Sequence, residues 1–184
     1  MPARAVLSTR VLLVCAAIGV ACGILGGIAG WITPVVIPGI PIVYGFVLGV
    51  HVIPGIIAQE VLRLPWVALI THVLAALVSS AAAPQWAGRF LGTAILFGGI
   101  QELVAAVTRY RVWRAWRFFI SAVVIGAVVA AVVWMVVDLA ALPLWAQVSY
   151  LVLAVLGPVA WTAIGLGIGT QLRQAGIGRR AGRR

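Results

Sequence analysis

The sequence predicts an all-α integral membrane bundle of six transmembrane helices, and three observations carry that prediction. Apolar residues fill 64% of the 184 positions and charged residues only 9%. A soluble domain is roughly half apolar and a quarter charged, so the solvent here is lipid. The apolar runs are also continuous, as over residues 125–137, whereas barrel strands would alternate apolar with polar residues. Inside hydrocarbon every backbone polar group needs an internal partner, and unbroken apolar runs supply it as helices. Lastly, the 13 basic residues are all Arg and fall between the apolar runs in a fixed order.

A hydrocarbon core about 30 Å thick takes about 20 residues of helix. Six segments qualify: 11–31, 42–62, 66–83, 90–108, 118–137 and 147–172. The first follows Arg4 and Arg10, and its apolar run continues past Ala21-Cys22, so an uncleaved span is expected rather than a signal peptide. Its two cysteines, Cys15 and Cys22, stand roughly 10 Å apart along one helix, too far to bridge. Pro34, Pro38 and Pro41 punctuate the first connection and Arg63-Leu64-Pro65 the second. Pro84-Gln85-Trp86 makes the third, the basic run 109–117 the fourth, and 138–146 the fifth.

With both termini cytoplasmic, twelve arginines lie inside and only Arg89 outside, as the positive-inside rule requires. Trp31, Trp86 and Trp145 mark one interface and Trp66, Trp113 and Trp116 the other. The net charge of +10 is thus a topology signal rather than a nucleic-acid footprint. Residues 1–172 form the transmembrane domain, and 173–184 a basic cytoplasmic tail suited to anionic headgroups. Arg without Lys, beside abundant Ala, Val and Gly, suggests a GC-rich bacterial genome and hence a multi-pass protein of the bacterial plasma membrane.

Polar residues within a membrane are costly unless paired or facing a cavity, so each is a functional candidate. They are His51, Gln59, Glu60, His72, Gln101, Glu102, Asp138 and Gln147. His72 and Glu102 fall at similar depth on antiparallel helices. With Gln101 they either line one cavity, where a heteroaromatic ligand would find donors and acceptors, or hold two helices together. Glu60, three residues before Arg63, has the spacing of a local ion pair. Asp138 ends the fifth span, as a helix-end residue or part of an outer vestibule. Tyr44, Trp134 and Trp161 are packing residues or rings for a stacked ligand. Ala17, Gly19, Ala21 and Gly23 place small side chains on adjoining faces of the first helix, a stripe for another helix of this chain or for a second protein.

An enzyme is not expected. A P-loop needs a Lys, and the chain has none. Ser79 and Ser80 lie about two turns from His72, beyond a nucleophile–base bond. Two His and three scattered carboxylates show no metal-ligand spacing, and no cofactor is implied.

The stretch "GIQELVAAVTRYRVW" (99–113), with "VYGFVLGV" (43–50), the Arg63-Leu64-Pro65 turn, "ALITHVLAALV" (68–78) and Val137-Asp138-Leu139, resembles the YkoE-like S components of energy-coupling factor (ECF) transporters. That family is associated with thiamine and its hydroxymethylpyrimidine precursor. The resemblance implies a six-helix subunit that captures a vitamin outside the cell. It then docks on a T component driven by two ABC ATPase subunits. Glu102 matches the family's fourth-span carboxylate, and with the polar and aromatic candidates above the expected ligand-binding set is Tyr44, His72, Gln101, Glu102 and Asp138. Docking would use Ala17, Gly19, Ala21 and Gly23, and the first external loop, 32–41, would form a lid. Where the family places carboxylates on the third span, this chain has His72 and Ser79, which disfavours a cation and favours a neutral aminopyrimidine or a different vitamin. The competing classes are a stand-alone secondary transporter, which would usually show repeats and broken helices, and a structural or assembly membrane protein.

Overall fold

A computed structural model describes residues 7–39, 41–136 and 142–177, and the described residues are almost wholly helical. The first helix, α1, is Thr9–Gly39. The second pass is broken. A 3₁₀ turn at Pro41–Val43 leads into α2, Tyr44–Gly49, and a second 3₁₀ turn at Val50–Val52 separates α2 from α3, Ile53–Leu62. Then come α4, Val67–Ala82; a 3₁₀ turn at Pro84–Trp86; α5, Ala87–Val107; α6, Ala115–Val136; and α7, Leu144–Gln174. Five of these passes are long and apolar enough to cross a membrane, while α4, at 16 residues, is apolar but shorter. At 1.5 Å per residue it is about 24 Å long.

Two boundaries differ from the sequence-based expectation, each for a physical reason. The segment 32–41, expected as a loop, continues α1 through Gly39. Pro34 and Pro38 stand four residues apart, so their missing N–H groups fall on one face and leave the rest of the ladder intact. The second pass, expected as one helix, is interrupted at Val50–Val52. Pro54, in the first turn of α3, has no N–H to return to Val50 and starts a new helix naturally.

Small residues decide which helices touch. α1 lies on α4, α4 on α5, α6 on α7, and both halves of the second pass on α7. A Cβ on Gly23 would sit 2.6 Å from the Ala75 carbonyl oxygen and from Val78 Cβ, so only glycine admits this approach of α1 to α4. Ser79 Oγ donates to the Gly23 carbonyl at 2.8 Å across the same seam. On the other side, Gly49 of α2 meets the Gly157–Pro158 peptide of α7 as closely.

Large apolar side chains lie outward, Met135 at 84% exposure and Val107 at 77%. That distribution is inverted relative to a soluble protein and suits a multi-pass membrane protein. Arg63, Arg109, Arg117 and Arg173 gather at one end of the bundle with the α3–α4 and α5–α6 turns; Arg89 stands at the other, its guanidinium 4.5 Å from the Trp86 ring centre.

Candidate functional site

The buried polar side chains form two groups. At the arginine-rich end, α4 begins after Pro65 with Trp66 as its N-cap and no capping side chain of its own. Its orphan N–H groups need an acceptor, and α5 supplies one. Glu102 Oε1 accepts from the Ala68 N–H at 2.8 Å, and Oε2 from the Trp66 N–H at 3.0 Å. A carboxylate at a helix N-terminus also opposes the positive end of the helix dipole. Gln59 Nε2 reaches Glu102 Oε1 at 3.4 Å, and Gln59 Oε1 accepts from Arg117 at 3.1 Å. Arg117, only 1% exposed, is sandwiched between the rings of Trp113 (4.7 Å) and Phe118 (4.2 Å). Tyr110 is in the α5–α6 turn; burial first, then the Glu102 carboxylate, pushes its phenol up to about 12. Glu60 pairs with Arg63 at 3.4 Å, the contact its spacing suggested, and with Arg173 of α7 at 3.0 Å.

Among the described residues, the four non-glycine residues with positive φ, Arg63, Trp66, Arg109 and Tyr110, belong to the α3–α4 and α5–α6 turns. Left-handed backbone costs about 1 kcal/mol per residue, and a hydrogen bond to Glu102 holds one of the four, Trp66.

The second group lies midway and toward the opposite end. Gln101 Nε2 donates to the Val52 carbonyl at 3.0 Å, in the break of the second pass. A carbonyl only accepts, so the amide nitrogen faces Val52 and Oε1 faces His72, 3.0 Å away. His72 therefore donates from Nε2 and keeps Nδ1 as an acceptor. Beyond this pair is a cavity walled by α1, the Val50–Val52 turn, α3, α4 and α5. His51, His72, Ser79, Phe90 and Thr93 supply its chemistry, and Cys22 and Gly26 of α1 its far wall. The cavity is small: the room left for the centre of a water molecule is about 20 Å³, one water site. Among the described residues no carboxylate lines the cavity.

Of the residues expected to bind ligand, His72 lines this cavity, and Gln101 orients it from behind. Glu102 caps α4 and is not among the lining residues. Tyr44 packs with Ala130, Tyr150 and Ala154 between α2, α6 and α7, away from His72. Asp138 lies outside the described residues. The expected docking stripe splits in two: Gly19 and Gly23 are buried against α4, whereas Ala17 and Ala21 are exposed. His51 was not singled out as a binder, because nothing in its spacing marks it. Gly49 before it and Pro54 after it are the local signals that the helix breaks there.

Residues 10–128 match the model of a family described as "ABC-type cobalt transport system, permease component". The chain belongs to this family. Its fold is also that of a solved protein described as "Crystal structure of an S-component of ECF transporter", with a TM-score of 0.80 at 19% identity over 92% of this chain and 87% of that one. No curated protein matches the chain.

Proposed function

We propose that this protein is the substrate-binding S component of an ECF transporter in a bacterial plasma membrane. It crosses the bilayer six times with both termini in the cytoplasm. It takes up a small heteroaromatic vitamin or precursor, hydroxymethylpyrimidine in preference to thiamine, and passes it to a T component and two ABC ATPases. The observation that carries this reading is the cavity, which sits toward the end of the bundle away from the arginine-rich turns. With those arginines inside, it faces the outer half of the membrane, where an imported molecule arrives.

Its chemistry suits an uncharged ring. Imidazoles and hydroxyls donate and accept, Phe90 offers an aromatic face, and among the described residues no lining carboxylate rewards a cation. Cobalt, named in the family's description, is less well served: among the described residues no three His, Cys, Asp or Glu side chains gather as ligands. The exposed Ala17 and Ala21 are the part of the small-residue stripe free to meet the T component. Because the cavity has room for about one water, ligand entry requires its walls to part.

The test is to titrate the purified protein in detergent with hydroxymethylpyrimidine, thiamine and Co²⁺, alongside mass spectrometry of whatever co-purifies. Binding of hydroxymethylpyrimidine tighter than thiamine is expected; a response to Co²⁺ alone would sink the reading. Uptake into proteoliposomes should require ATP and the partner subunits, and uptake by this chain alone would instead indicate a stand-alone transporter.

A further inference from the structure

The cavity's polar groups are unequally committed. Ser79 Oγ donates to the Gly23 carbonyl, and His72 Nε2 donates to Gln101. His51 differs: it is half-buried, lines the cavity, and makes no side-chain hydrogen bond among the described residues. An imidazole within a helical pass that lacks a protein partner is costly, and among the described residues only packing contacts hold this one. Its ring lies 5.8 Å from that of Phe90 at 51°. On the other side Gly26 leaves it room; a Cβ there would stand 3.2 Å from His51 Cε1 and 3.4 Å from Nδ1. The backbone carrying it is the 3₁₀ turn whose Val52 carbonyl is tied to Gln101 and, through it, to His72. Short 3₁₀ stretches inside a helical pass mark places where it can rearrange.

We propose that His51 is the specificity-determining ligand contact of this cavity. Its imidazole exchanges one hydrogen bond with a ring nitrogen or exocyclic amine of an uncharged heteroaromatic molecule that packs against Phe90. The inference rests on the S-component reading and adds to it the residue that recognises the ligand. An imidazole both donates and accepts, so it selects for a ring with hydrogen-bonding edges and against an apolar ring of the same size. The link from Val52 through Gln101 makes His72 a positioning residue for the turn as well as a wall of the site.

The experiment compares wild type with His51→Phe and His51→Gln by titration with hydroxymethylpyrimidine, with melting temperature as the control for folding. His51→Phe keeps a ring against Phe90 and removes the hydrogen bond, so a Kd about tenfold weaker or more is expected at an unchanged melting temperature. His51→Gln, which can still donate and accept, should recover part of the loss. Diethyl pyrocarbonate supplies a readout on the native protein: His51 should be modified faster than His72, and hydroxymethylpyrimidine should slow its modification. Wild-type affinity in both variants, or a His51 ring inert under conditions that modify it in the denatured chain, overturns the inference and leaves the S-component reading standing. A wild type that binds no heteroaromatic probe overturns both.

Discussion

The two ends of the bundle bury polar side chains in the same kind of helical pass but use them differently. At the arginine-rich end, Glu102 accepts two backbone N–H groups and a glutamine amide, and Gln59 joins it to the buried Arg117. Each group has its principal partner inside the protein, and the network fixes the start of α4. Around the cavity, among the described residues, His51 makes no side-chain hydrogen bond and His72 makes one, through Nε2. A costly intramembrane carboxylate is therefore no sign of a ligand site by itself; what matters is whether its hydrogen bonds are already made.

The largest effect should come from removing the carboxylate. Glu102→Ala strands the Trp66 and Ala68 N–H groups and leaves the Arg117 charge without its nearby counter-charge. A cost of about 3–5 kcal/mol is expected, read as a large fall in melting temperature in detergent. Glu102→Gln, which keeps an acceptor, should fall less and retain hydroxymethylpyrimidine binding. Loss of binding in a stably folded Glu102→Gln protein would erase the distinction between the two ends.

Gly55→Ala attacks the junction between them. Its Cβ would overlap Gln101 Oε1 and stand 2.7 Å from His72 Nε2, breaking the link from His72 to Val52. Overpacking of this kind costs about 1–3 kcal/mol. Both stability and ligand affinity should drop, and a change in only one would show that the junction does not couple them.

The split stripe on α1 gives a paired test. Gly23→Ala pushes α1 off the Ala75 carbonyl and Val78 and should lower stability by about 1–2 kcal/mol. Ala17→Leu with Ala21→Leu adds bulk to an exposed face and should leave stability within about 0.5 kcal/mol. The double variant should nevertheless fail to co-purify with the T component, and normal co-purification would remove docking from this face.

The smallest effect concerns Tyr110. Its phenol is raised from 10.0 to about 12 by burial and by Glu102, so the fold favours the neutral form. Its contribution is fully present below pH 10 and is lost as pH rises toward 12. The stability difference between wild type and Tyr110→Phe should be constant from about pH 6 to 9 and shrink above 10, with phenolate absorbance as the check. A difference that varies near neutrality would mean that some other group of the Glu102 network titrates there.

Part of the site was legible in the sequence. Glu102, Gln101 and His72 stood out because ionisable and amide groups are rare in apolar runs, and Glu60 with Arg63 followed from helical spacing. Their partners were not legible. Glu102 bonds to backbone groups 34 and 36 residues away, and a backbone N–H carries no sequence signature. Gln101 was expected, with His72, either to face a ligand or to hold two helices together, and it bonds both His72 and the Val52 carbonyl. The lid expected over 32–41 depended on reading Pro34 and Pro38 as breakers, although two prolines on one face can be carried within a helix.

Composition and the runs of apolar residues by themselves determined that this chain is helical and lives in lipid, because backbone polar groups in hydrocarbon have so few other ways to be satisfied. The order of its arginines gave the expected orientation by the same local logic. Only the tertiary structure decided which polar groups are consumed in holding helices together and which face a cavity. That depends on glycine-sized gaps and on carbonyls supplied by distant turns, both of which exist only once the helices have packed.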